Sequence, residues 1–91
     1  MTLALPAKLT HAEAAACLRL FQQGLAGQSG STEVVDASSL VEFDSAAIAV
    51  LLECRREAIA LGRGFAVKNL PLKLRELAGL YGVAGLLPAA L

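Results

Sequence analysis

The sequence predicts one small α/β domain with a partly parallel sheet covered by helices. Three observations point there. Short apolar runs alternate with longer stretches of helical period, in the order strand-helix-strand-helix-strand-helix. The chain has 91 residues, the size of a single domain. Apolar residues make up 56% of it, which excludes disorder and leaves excess apolar surface for a partner to cover.

The first strand is read at Thr2 to Leu5, where Thr-Leu-Ala-Leu alternates. Thr10 and Glu13 then stand at capping-box spacing. In that arrangement the hydroxyl accepts from the Glu13 amide, and the carboxylate reaches back to the Thr10 amide. The helix that follows runs to Ala26 with the stripe Ala14, Cys17, Leu18, Phe21 and Leu25. Gly24 and Gly27 loosen its end, and Gln28 to Ser31 reads as a polar turn. Glu33 to Asp36, with its β-branched pair Val34-Val35, reads as a buried central strand. Ala37 to Phe43 is a loop with room for a helical turn.

Asp44 or Ser45 caps a second helix that runs to about Leu61, its end marked by Gly62 and Gly64. Phe65 to Lys68 is the next strand. Asn69-Leu70-Pro71 opens a third helix, because proline is comfortable in a first helical turn. Its stripe is Leu74, Leu77, Ala78 and Tyr81, and Gly82 stops it. The tail, Val83 to Leu91, is apolar and contains Pro88. The sequence leaves open whether it packs internally, swaps, or contacts a partner.

Charge and chemistry exclude several functions. Eight basic and eight acidic residues give zero formal net charge, mixed along the chain, so the electrostatic footprint of a nucleic-acid binder is absent. Cys17 and Cys54 form no CxxC pair and lie inside helical patterns. They are read as buried free thiols of a reducing compartment. Ser45 and the two thiols are the candidate nucleophiles, but the lone His11 has no motif around it, so catalysis is not expected. Gly62-Arg63-Gly64 is a helix stop with a turn, not a phosphate loop. The longest clean apolar run, Ala46 to Leu52, falls far short of the ~20 residues that cross a bilayer, and Met1 to Pro6 lacks a secretion signal. A cytoplasmic location is expected.

The second helix has two apolar groups. Ala47, Val50, Leu51, Cys54, Ala58 and Leu61 make one face, sufficient to pack on a sheet. Ile48, Leu52 and Ile59 lie roughly 100° around from it, with Arg55 between the two. Either this helix is squeezed between the sheet and a neighbouring helix, or Ile48, Leu52 and Arg55 form part of a docking surface. Asp44 and Ser45 are capping residues on one reading. On the other, Ser45 sits where helix amides and dipole favour a phosphate.

Asp44-Ser45-Ala46-Ala47, followed by Ile-Ala-Val-Leu-Leu, resembles the Asp-Ser/Thr-x-Gly-aliphatic signature of STAS domains, the anti-sigma-factor-antagonist fold. Val34-Val35-Asp36 followed by Ser38-Ser39-Leu40 is similar to the family's approach to that motif. Leu74 to Val83, ending in Leu86-Leu87-Pro88, looks most like the MlaB-like branch, the small STAS subunits of Mla-type phospholipid ABC transporters. The resemblance covers essentially the whole chain. It implies a mixed sheet of about four strands, with three or four helices mainly on one side. It also implies a non-catalytic adaptor that binds the transporter's ABC ATPase, an MlaF-like subunit, and supports its assembly and activity at the inner membrane. Asp44, Ser45, Ile48, Leu52 and Arg55 would be the partner-binding residues. The alternative it implies is an anti-sigma-factor antagonist switched by phosphorylation of Ser45. Neither the residues nor the resemblance calls for a cofactor, a metal, a nucleic acid or direct membrane insertion, and both leave room for a homodimer.

Two departures from the family pattern stand out. The motif glycine is Ala47 here, which implies less room for a kinase or partner at the backbone. The strand that usually opens a STAS domain is missing or truncated, so the first strand is the one at Thr2 to Leu5.

Overall fold

A computed structural model describes residues 2–26 and 32–89. The chain runs β1 (Thr2–Ala4), β2 (Lys8–Leu9), α1 (Ala14–Ala26), β3 (Thr32–Asp36), β4 (Glu42–Phe43), α2 (Ser45–Ala60), β5 (Gly64–Lys68) and α3 (Leu72–Leu80), then a 3-10 turn at Ala84–Leu86. The main sheet has the order β1-β3-β5, with Leu3 opposite Val35 and Val35 opposite Val67. The strand expected to be central is central.

Every strand pairing among the described residues is parallel, where a mixed sheet was expected. The reason is the connections. A helix follows β1 and another follows β3, and each returns the chain to the end where the preceding strand began. The expected four-strand sheet also divides: β2 and β4 form a separate two-stranded pair. Glu42 and Phe43 were read as loop. They pair instead with Lys8 and Leu9, and the Val41 and Glu42 amides donate to the Ala7 carbonyl at 2.8 and 3.0 Å. Two-residue strands are too short to show a period of two.

Burial alternates along β3 and β5. Glu33, Val35, Phe65 and Val67 are buried, while Val34, Asp36, Ala66 and Lys68 are half-buried. The buried face takes the apolar stripes of the helices: Cys17, Phe21 and Leu25 from α1, Leu51, Cys54 and Ala58 from α2, Leu74 and Ala78 from α3. Burying Phe21, Leu51 or Leu74 contributes roughly 1.5–3 kcal/mol each.

The capping box forms in altered shape. Thr10 N and Thr10 Oγ1 both donate to Glu13 Oε1, at 2.8 and 2.6 Å, and the Glu13 amide donates to the Thr10 carbonyl at 3.0 Å. The hydroxyl thus donates to the carboxylate instead of accepting from the amide, and α1 begins at Ala14, three residues beyond the His11 start that a Thr10 cap implies. Gly62 and Gly82 stop their helices in the left-handed conformation, with φ of 74° and 73°. Leu61 and Tyr81 fall at the C-caps of α2 and α3 and are 55% and 57% exposed. Both were expected on buried stripes. The helical turn ends before their side chains can be carried inward.

Up to Ala89 the tail packs internally; Ala90 and Leu91 lie outside the described residues. Leu87 is 1% exposed, the Val67 amide donates to the Pro88 carbonyl at 2.8 Å, and Ala89 bridges Val67 in parallel. The polar turn expected at Gln28 to Ser31, and Gly27 before it, lie outside the described residues.

Candidate partner-binding site

Asp44 is the N-cap of α2, with φ of −133°. Its Oδ1 accepts from the Ala46 amide at 2.8 Å, satisfying one of the orphan donors of the first turn. Its Oδ2 accepts from the His11 amide at 3.1 Å. One carboxylate therefore fixes the start of α2 against the turn that leads into α1. Of the two capping candidates, Asp44 is the cap, and Ser45 becomes the first helical residue, exposed to solvent.

The segment leading into this helix is also pinned. The Ser38 amide donates to Asp36 Oδ1 at 2.9 Å, and the Leu40 amide to the Ala37 carbonyl at 3.1 Å. Leu40 and Ala37 are buried, whereas Val41 is 79% exposed. Asn69, at φ 59°, donates its side-chain amide to the same Asp36 Oδ1 at 3.2 Å, and Lys68 Nζ lies 3.9 Å from Oδ2. The Ser38 amide first, then the Asn69 side chain, hold the Asp36 carboxyl below its usual range.

The expected docking residues separate. Ile48 is 3% exposed and belongs to the core, so it presents no surface. The arc of α2 that is buried is wide, because this helix packs against α1, β5 and α3 together. Of the two readings of its second apolar group, the squeezed helix accounts for Ile48. Leu52 lies half-buried at the margin of the core, Arg55 is half-buried, and Ile59 is 49% exposed. Asp44, Ser45, Leu52 and Arg55 remain as surface residues along α2. On the other flank of α2, a shallow groove of about 310 Å³ between α1 and α2 is lined by His11, Ala14, Leu18, Ala49, Val50 and Glu53.

Ala47 is fully buried. Its methyl group points into the core, so replacing the family glycine does not narrow the approach to Ser45.

Two features escaped the sequence reading. Glu33 is buried in β3, with Oε1 3.0 Å from Arg63 Nη1. The only sequence signal was a glutamate beside two valines in a strand. Val41 escaped because a lone apolar residue in a loop carries no periodicity.

Cys17 and Cys54 are free and buried, and burial pushes both thiols up, away from the reactive thiolate. Among the described residues no group of three or more His, Cys, Asp or Glu side chains could hold a metal ion, and no helix is long and apolar enough to cross a membrane.

A family model described as "Mlab, STAS domain" matches residues 1–88 of the chain. No curated protein matches it.

Proposed function

The chain belongs to the MlaB-type STAS domain family, and on that premise we propose that it is the adaptor subunit of an inner-membrane phospholipid-transport complex. STAS domains are generally regulatory or adaptor modules, not catalysts, and act through other proteins. In this reading the partner is the complex's ABC ATPase, whose assembly and activity the chain supports from the cytoplasmic side. The contact surface runs along α2 from Asp44 and Ser45 through Leu52 to Arg55.

The observation that carries the reading is the pair of hydrogen bonds accepted by the Asp44 carboxylate. It holds an exposed Ser45 in fixed relation to α1, with Leu52 and Arg55 further along the same helix. A preorganised surface of this kind binds with less ordering cost. Aliphatic side chains beside an arginine suit the centre of an interface.

The test is affinity purification of the tagged chain from its native host. An ABC ATPase should co-purify, and Leu52→Asp or Ser45→Arg should abolish its recovery while the circular dichroism spectrum stays unchanged. Normal recovery with both folded variants would remove the surface assignment. A serine kinase in place of the ATPase would remove the partner assignment.

A phosphorylation switch at Ser45 is the second reading, favoured by the exposure of that hydroxyl at the first helical position. Against it, the Asp44 carboxylate already occupies the first-turn amide that a phosphate would use, and it would repel the phosphate. Intact-mass measurement of the chain from its host distinguishes the two readings.

A further inference from the structure

We infer that the segment Val83 to Ala89 is a detachable strap that closes the β5 edge of the sheet, and that a second copy of this chain pairs along β5 when the strap is out. Among the described residues β5 pairs along its whole length with β3 on one side, and through the single Val67–Ala89 bridge on the other. The outward amide of Val67 is satisfied by the Pro88 carbonyl at 2.8 Å. Phe65, two residues earlier, presents its backbone on the same side. Without the strap these groups and two apolar side chains would form an open edge, a template for strand pairing.

The strap is built to stop the sheet, not to extend it. Pro88 has no N–H to offer, so the strap gives β5 no donor at that residue. The opposite edge is blunted in the same manner, since β1 has three residues and Pro6 follows it closely. The strap's main anchor is one side chain, Leu87, with Val83 and Ala84 packed partly against the core. It leaves the body through Gly82, whose φ of 73° makes a natural hinge.

A second copy fits the open edge. A two-fold axis makes the new pair antiparallel. Centred on Ala66, such a pair sets Lys68 of one chain opposite Gly64 of the other, so like charges do not face. The chain's zero formal net charge removes long-range repulsion between copies.

Amide exchange and sedimentation velocity on the full chain test the inference. In Leu87→Ala, exchange at the Val67 amide should accelerate roughly tenfold more than at Val35 in the central strand, because the strap opens as a local unit. In Leu87→Asp, a concentration-dependent dimer should form, restoring protection at Val67 and adding it at Phe65. Equal acceleration of Val67 and Val35 in Leu87→Ala would mean that the strap opens only with the whole domain, and would overturn the idea. So would a folded Leu87→Asp chain that stays monomeric, or a dimer in which Val67 remains unprotected. If Leu87→Asp does not fold, the Leu87→Ala exchange ratio decides alone.

Discussion

Glu33, fully buried in β3, meets Arg63 at the start of β5 with 3.0 Å between Oε1 and Nη1. The same guanidinium donates to the Leu25 carbonyl at 3.4 Å, so one side chain just ahead of β5 joins the end of α1 to the central strand β3. Removing Arg63 strips a fully buried carboxylate of this ion pair. Arg63→Ala should therefore cost about 3–5 kcal/mol, a large part of the stability of a small domain. Urea titration would reveal it as a lowered midpoint. A double replacement by well-packed apolar residues should recover much of that loss.

Asp44 carries a second link, between the α2 N-terminus and the His11 turn. Asp44→Ala should destabilise by about 0.5–2 kcal/mol through loss of the cap. Asp44→Asn should lose less, since its side-chain oxygen still accepts from the Ala46 amide. Thermal melts of the two variants rank them. A larger loss in the asparagine variant would disprove the capping role.

Acid should weaken the domain in part through Asp36. Its folded carboxyl lies below the usual value, chiefly because it accepts the Ser38 amide, then the Asn69 side chain. A depressed folded value means that stability is fully present above the unfolded carboxylate's pKa. It fades as pH falls through the folded one, so the loss begins below about pH 4. Asp36→Asn should flatten that part of the pH profile by lowering stability near neutrality towards the level reached in acid. Denaturation midpoints collected from pH 7 downward give the comparison.

Ile48 and Leu52, one helical turn apart, should respond in opposite ways to the same substitution. Ile48→Asp buries an unpaired carboxylate and should unfold the domain. Leu52→Asp, at the margin of the core, should leave the chain folded. Circular dichroism distinguishes them. A folded Ile48→Asp protein would contradict the burial of this residue in α2.

Neither Cys17 nor Cys54 should react with a thiol reagent in the native protein, because burial excludes the reagent and keeps the thiols protonated. Both should titrate at once in denaturant. Rapid native labelling would show that α1 and α2 open more readily than their packing suggests.

The α/β alternation, the three helices, the central Val34-Val35 strand and both glycine stops were legible in the sequence. All are local: hydrophobic period, capping residues and backbone freedom act within a few neighbours. The STAS motif at Asp44-Ser45 was legible for the same reason. The direction of strand pairing followed only from the crossovers. The β2–β4 pair, the inward turn of Ile48, the exposure of Tyr81 and the Glu33–Arg63 contact were decided by tertiary structure. Each depends on which distant element arrives beside the residue. A helical wheel gives the angle of Ile48 around α2, but only the joint packing of α1, β5 and α3 makes that angle interior.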